Sequence, residues 1–509
     1  MCSRLKLAFV IVCYKTAYSL ALTSSFVTNE TMKISSNNLL QTETDGVDPE
    51  KRFNGKPLTS IFSSGHNLRN LDPDFHKSIE YLVTSKGYPF EKHYVTTEDG
   101  YIITMHRIPH GRLTEQKKGS LPPKPNRRVA LLGAPLLTES TIWVMDFPNN
   151  SFGFILADRG YDVWLTNVRG SSFGKHHTNL SVYDIKFWQY TFIDIGAKDL
   201  SAQIDYALKV TGREQVYYAG MSQGGASLYA LLAKRPEYNR KLRAMAGLGT
   251  FRRSCHINIW WLNSASTLEN YLGRLSIIEV MPKISMLDRA CDIADKLCLW
   301  YTRTFLYTDI KYLNTTRFPV YMNHFPSGTS KMNLLYYSQI MQEDQCTTHW
   351  NEVREYDFDR ATVTGRWTRA RYNSVVHRPP TTVPDTISSV VKPRGRGSGR
   401  FLWGVFGDAK KLNPEMYNGQ TEPPILDPQN IHVPIKLYWS EGDRYAPPAE
   451  QTLLKRELRS IVAEYRITDP AWGHYSFSSS PYNASVFIDV ADFFDDCSRG
   501  AEYCTFRPF

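Results

Sequence analysis

The chain has 509 residues, 42% of them apolar, with 60 Lys and Arg against 50 Asp and Glu for a net charge of +10. That apolar fraction excludes an extended disordered chain and provides for a large core, and no apolar run is long enough to cross a bilayer as a helix. The basic excess sits in residues 360–400, with nine Lys/Arg and one acid, Asp385; no nucleic-acid-binding motif accompanies it, which argues against a nucleic-acid partner.

Residues 1–21 read as a secretory signal: Arg4 and Lys6 precede the apolar run Leu7 to Tyr14, and Ser19 and Ala21 offer small residues for cleavage. Residues 22–71 are rich in Ser, Thr and Asn and read as a flexible leader or pro-segment. Ordered patterning starts at 72. Residues 75–86 have helical spacing, stopped by Gly87-Tyr88-Pro89. Strands at 93–97 and 101–105 flank Glu98-Asp99-Gly100, a hairpin signal.

A short buried strand follows at 129–132 and runs into Gly133-Ala134-Pro135-Leu136. The spacing predicts a helix over 151–160, a strand over 161–168 and a helix over 184–210. Val216-Tyr217-Tyr218-Ala219-Gly220 is another buried strand, and Ala244 to Leu248 the next. Strands alternating with helices indicate an α/β protein. Residues 251–430 break the rhythm. The first part is helical and aromatic, with Trp260, Trp261, Tyr271, Trp300 and Tyr301, and reads as an inserted cap. Its basic, Pro/Gly/Ser-rich stretch 359–408 reads as a surface loop, with attraction to an anionic lipid surface as the functional alternative. Strands at 435–439 and 463–467 and a helix from about 484 to 494 resume the core, which occupies 72–250 and 431–509.

The chemistry centres on Gly220-Met221-Ser222-Gln223-Gly224. A buried strand, G-x-S-x-G, then a helix-forming run is the pattern of a nucleophile elbow, with the serine on a strained turn. A second G-x-S-x-G, Gly170 to Gly174, also follows a strand, but Lys175-His176-His177 does not open a helix, so Ser222 rather than Ser172 is the candidate nucleophile. A serine hydroxyl needs a base, and the base an orienting acid. Asp443 follows the strand 435–439 and His474 the strand 463–467, in the order Ser, acid, His. Asp427 and Asp408 are rival acids on less suitable loops. The backbone N–H groups of Gln223 and Leu136 are the candidate oxyanion donors, because Pro135 has none.

Six cysteines lie beyond the signal. Cys291 with Cys298 and Cys497 with Cys504 would close short loops as disulfides. N-x-[ST] sites at Asn29, Asn149, Asn179, Asn314 and Asn483 are candidate glycosylation positions. No C-x-x-C pair points to zinc, and no cofactor or metal is expected.

Many ordered motifs then point to one family. Gly87-Tyr88-Pro89, Thr97-Glu98-Asp99-Gly100-Tyr101, Pro148-Asn149-Asn150-Ser151, Gly160-Tyr161-Asp162-Val163-Trp164-Leu165, Pro326-Ser327-Gly328-Thr329-Ser330 and Trp439-Ser440-Glu441-Gly442-Asp443 resemble the acid lipases, the group of gastric and lysosomal acid lipases. The resemblance covers roughly 72–358 and 410–494. It implies an α/β-hydrolase fold with a helical cap or lid, a Ser222–His474–Asp443 triad, and triacylglycerol or sterol ester substrates; a lipid–water interface or membrane surface is the expected partner, and the signal at 1–21 points to a secreted or lysosomal destination. The pair Cys291–Cys298 resembles the family's cap disulfide with shorter spacing. Three features depart from the family: Ala134-Pro135 replaces His-Gly before the oxyanion leucine, Met221 replaces His, and the basic loop is additional. The first departure leaves two alternatives open: a weakly active or inactive lipid-binding relative, and a small-ester carboxylesterase.

Overall fold

The computed structural model describes residues 52–53, 56–57, 72–112, 127–257, 259, 279–283, 306–341, 353–357 and 413–504. The expected signal peptide, most of the leader, Asn29, Cys291, Cys298 and the basic stretch 359–408 lie outside the described residues.

A nine-stranded sheet organises the chain. Its strands are β1 (Glu91–Thr96), β2 (Tyr101–Ile108), β3 (Val129–Gly133), β4 (Asp162–Leu165), β5 (His176–His177), β6 (Val216–Met221), β7 (Leu242–Leu248), β8 (Ile435–Ser440) and β9 (Ile461–Ile467). The order is β9-β8-β7-β6-β3-β4-β2-β1, with β5 pairing β2. The strands from β4 through β3, β6, β7 and β8 to β9 are parallel, and β2 runs antiparallel to both β4 and β1.

Burial follows from position in the sheet. Every residue of the central strands β3, β4 and β6 is buried, as expected where helices cover both faces. The edge strands β1 and β9 leave alternate side chains open to solvent. Successive side chains on a strand serve opposite layers. Val129 and Leu131 join the core layer with Tyr218 and Leu228, while Ala130 and Leu132 join the layer with Ala219 and Phe487. The first layer is covered by α3 (Ser201–Thr211) and α4 (Gln223–Lys234), the second by α2 (Phe152–Asp158) and α8 (Asn483–Arg499). Phe152 stacks on Phe487 at 4.8 Å between centroids.

Helix boundaries moved where capping chemistry intervened. The spacing over 75–86 yields only α1 (Ile79–Thr84), because Ser78 accepts the Tyr81 N–H and starts the helix there. The expected helix over 184–210 starts at Phe192, set by a capping box between Thr191 and Asp194. It passes through a π-helical stretch, Ile195–Leu200, before α3. The closing helix extends beyond the predicted 494 to Arg499, ending at Gly500 with φ +78°.

Between β7 and β8 the described residues include α5 (Phe318–Asn323) and α6 (Lys331–Ile340). α7 (Pro448–Glu457) then joins β8 to β9. Cys497 and Cys504 form a disulfide across the end of α8, as expected from their spacing, and Cys255 is also disulfide-bonded. One glycosylation expectation fails: Asn483 is fully buried, with both amide atoms enclosed, so no glycan fits there. Asn149 and Asn179 are exposed, and Asn314 is half-buried.

Candidate active site

Ser222 stands between the last residue of β6 and the first of α4. Its φ of 53° and ψ of −121° are unusual for a residue with a side chain and store strain at the turn. Four hydrogen bonds hold it. Its N–H donates to Leu248 O (2.9 Å), and its carbonyl accepts from Gly225 N (3.0 Å), Ala226 N (3.0 Å) and Thr250 Oγ1 (3.2 Å). The flanking glycines are demanded by contact. A β-carbon on Gly220 would lie 2.6 Å from Gly225 N, and one on Gly224 would lie 2.4 Å from Gly133 O. Gly224 thereby brings the start of α4 against the end of β3. Met221, where the acid lipases carry His, is fully buried in the apolar layer.

Asp443 and His474 meet at the ends of β8 and β9. His474 Nδ1 lies 2.8 Å from Asp443 Oδ2, and both residues are 1% exposed. The other oxygen, Oδ1, accepts the backbone N–H groups of Tyr445 (2.8 Å) and Ala446 (2.9 Å), which aim the carboxylate and stabilise its charge. Tyr445 and Tyr475 pack on the imidazole at 4.9 and 5.5 Å between centroids. Glycine lets the two loops meet each other and the segment at Tyr307. A β-carbon on Gly442 would meet Pro470 O at 2.2 Å, and one on Gly473 would meet Tyr307 O at 2.0 Å.

The rival residues stand elsewhere. Asp427 is exposed and caps its own turn, accepting the Gln429 N–H at 2.9 Å. Asp408 lies outside the described residues. Ser172 is 3.0 Å from Ser327 Oγ, in a separate polar cluster.

Gln223 opens α4, and the first N–H groups of a helix have no intrahelical acceptor. Leu136 belongs to a turn from Pro135 to Thr138. The Thr138 N–H (3.3 Å) and hydroxyl (2.8 Å) both donate to Pro135 O, and Leu137 takes φ +63°. The turn leads into Glu139, which is 1% exposed. Burial opposes its ionisation, but the His324 hydrogen bond and the Lys283 charge outweigh it and bring Glu139 down to about 2. Its Oε1 lies 3.0 Å from His324 Nδ1, 3.2 Å from Lys283 Nζ and 3.1 Å from Thr141 Oγ1, and Oε2 accepts the Ser327 hydroxyl at 3.1 Å.

An apolar cavity of about 40 Å³ opens beside this turn, between Thr138, Ile142 and Met145 on one side and Phe318, Phe325 and Tyr475 on the other. Of the residues lining it, Tyr475 packs edge-on against the imidazole of His474. Glu139 and its partners escaped the sequence reading, as did Gly249, whose place beneath the Asp443–His474 pair depends on the pairing of β7 with β8. Motif spacing carries no trace of either.

Residues 79–147 match the family described as a partial α/β-hydrolase lipase region, and residues 148–481 match the α/β hydrolase fold. Among curated relatives, the lysosomal acid lipase/cholesteryl ester hydrolase of Homo sapiens is 34% identical over 286 residues, 55% of this chain and 70% of that protein. The gastric triacylglycerol lipase of Mus musculus is 32% identical over 302 residues, 56% of this chain and 73% of that protein. Lipase member J of Homo sapiens is 32% identical over 428 residues, 81% of this chain and 96% of that protein.

Proposed function

We propose a mechanism from one premise: the chain belongs to the acid lipase family of the α/β hydrolases, and it is a lipase or esterase acting on carboxylic esters. In the proposed cycle Ser222 Oγ attacks the ester carbonyl while His474 Nε2 takes its proton. The proton passes to the departing alcohol, leaving an acyl-enzyme. Water, activated by the same imidazole, then releases the acid and frees the serine. Asp443 holds His474 in the tautomer that presents Nε2 and stabilises the imidazolium. The N–H groups of Gln223 and Leu136 receive the negative oxygen of each tetrahedral intermediate, where one such donor is worth about 3 kcal/mol.

The observation that carries this reading is the enclosed Asp443–His474 pair, whose second carboxylate oxygen is already satisfied by two backbone N–H groups. The strained backbone of Ser222 supports it. The Pro135–Thr138 turn supports Leu136 as donor, since its two bonds to Pro135 O hold the loop despite the loss of the family's glycine.

The substrate we assign is a fatty-acyl ester of glycerol or of a sterol, met at a lipid–water interface. Support comes from what the relatives are named for, and from the apolar cavity beside Tyr475, which suits part of an acyl chain. We place the protein in the secretory pathway, secreted or lysosomal. The N-terminal apolar run after Arg4 and Lys6 supports this, as does the Cys497–Cys504 disulfide, which requires an oxidising compartment. Residues 251–430 are proposed as the cap inserted between β7 and β8.

A fluorophosphonate probe tests the nucleophile. Labelling of the wild type and none of Ser222→Ala is expected, and an unlabelled wild type would sink the reading. Acyl esters of graded chain length test the substrate; turnover confined to short acyl groups would move the assignment to a small-ester carboxylesterase.

A further inference from the structure

Both candidate oxyanion donors are held by one stretch of chain that contributes no candidate catalytic group. Ser327 stands at its start. Its N–H donates to Leu137 O (2.8 Å), and its hydroxyl donates to Glu139 Oε2 (3.1 Å) and accepts the Ser172 N–H (3.0 Å). Those contacts grip the turn that carries Leu136 from its far side. Six residues later, Asn333 in the first turn of α6 donates from Nδ2 to Gln223 Oε1 at 2.9 Å, and Tyr337, one turn further, donates its hydroxyl to the same oxygen at 3.1 Å. All four side chains are buried: Ser327 and Asn333 are 0% exposed, Gln223 and Tyr337 3%. α6 is itself anchored, with Ser330 Oγ accepting the Asn333 N–H (2.9 Å) and donating to Tyr190 O (2.8 Å).

We infer that residues 327–337 form a brace in which Ser327, Asn333 and Tyr337 are positioning residues for the two oxyanion donors. The inference rests on the oxyanion assignment made above. The physical need for a brace arises at both donors. A donor counts only if it points at the oxygen as charge develops, and an aim error of a fraction of an ångström forfeits much of the benefit. The Gln223 N–H sits at the start of a helix, next to a strained residue that would relax if released. Two hydrogen bonds to its own side chain oppose that relaxation. The Leu136 N–H sits after Pro135, whose ring fixes φ and restricts Ala134. The loop therefore cannot adjust through the free backbone that a glycine would supply; the two bonds within its turn keep its shape, and its direction is set from outside. The Ser327 bonds to Leu137 O and Glu139 supply it.

A brace acting on the intermediate rather than on the bound substrate predicts a split in the kinetics. Tyr337→Phe, Asn333→Ala and Ser327→Ala are each compared with the wild type for turnover of one soluble acyl ester, for thermal melting, and for inhibition by a trifluoromethyl ketone, whose hemiketal adduct with Ser222 Oγ carries an oxyanion. Each variant is expected to lose about 3- to 30-fold in kcat, less than the 10²–10³ of removing a donor outright, with KM within about twofold. Affinity for the ketone, read as the Ser222 hemiketal, should fall in parallel with kcat, and Ser327→Thr, which keeps the hydroxyl, should recover most of the loss. Ser338→Ala, also buried on α6, is the control for disturbance of the helix. Should Asn333→Ala fail to fold, Tyr337→Phe, which removes one oxygen atom, carries the test. Unchanged kcat in Tyr337→Phe and Ser327→Ala overturns the brace, as does a loss shared equally by Ser338→Ala or a rise in KM alone. Those outcomes leave fluorophosphonate labelling of Ser222 intact. A wild type that neither labels nor turns over an ester instead overturns the catalytic assignment and the brace together.

Discussion

Gly249 lies directly beneath the carboxylate of Asp443: a β-carbon placed on it would stand 2.9 Å from Oδ2 and 3.2 Å from His474 Nδ1. Its φ is +50°, and its N–H donates to Tyr438 O at 2.7 Å, which locks it to β8. The space the acid–base pair occupies exists because this position has no side chain.

Gly249→Ala is expected to lower kcat at least tenfold while leaving Ser222 in place. It also adds left-handed strain of about 1–2 kcal/mol. Steady-state kinetics and denaturant unfolding measure the two effects separately. Full activity in the variant would show that the pair tolerates displacement.

Asp443→Asn preserves shape but cannot stabilise the imidazolium or hold the same tautomer. A fall in kcat of about 10⁴ is expected on the proposed assignment, with little change in melting temperature. A loss below tenfold would point to a different acid.

Much of this was readable from residue order, and the reason is local. β6, the elbow and α4 are contiguous, so strand, turn and helix signals at Val216 to Lys234 could be read together. Asp443 and His474 each follow a strand, and topology brings loops of that kind to one edge. Gly249 had no such signature, because its role depends on β7 pairing with β8. Asn333 and Tyr337 belong to no motif; only their distance to Gln223, 110 and more residues earlier, gives them meaning. Asn483 failed in the opposite direction. Its N-x-S motif is local, whereas its burial at the start of α8 is a property of the fold.

His106 gives the protein a defined acid sensitivity. It is 0% exposed on β2, with Nδ1 2.7 Å from Ser140 Oγ and Nε2 enclosed without a partner among the described residues. Burial pushes it from 6.5 down to about 4. Between those values the unfolded chain binds a proton that the folded chain refuses, so stability falls as pH drops from 6.5 to 4 and is fully present above 6.5. The slope from this group is at most about 1.4 kcal/mol per pH unit. Unfolding midpoints followed across that range should show a flatter profile for His106→Gln. Glu139 acts in a lower window: its depressed value means that stability present above 4.5 is lost as pH falls toward 2.

Arg169 is wholly buried between two carboxylates. Nη1 and Nη2 reach Asp99 at 2.8 and 2.9 Å, Nε reaches Asp199 at 2.7 Å, and the guanidinium lies 3.9 Å from the Tyr101 ring centroid. Arg169→Met would strand Asp199, which is 0% exposed, as an unpaired buried charge. A loss of about 3–5 kcal/mol is expected in chemical denaturation. Arg169→Met with Asp199→Leu should recover part of it.

The end of β6 and the end of β9 also differ in when they come into being. On the proposed assignment the nucleophile is at 222, but its base waits at 474, on a loop after the last strand of the sheet. Chains are made from the N-terminus, and domains assemble as their parts emerge. A growing chain therefore carries Ser222 through the addition of every residue up to 474 without the base that would deprotonate it. On that assignment the hydrolase stays inert toward esters, including those of any membrane it meets during synthesis, until the loop after β9 has been made.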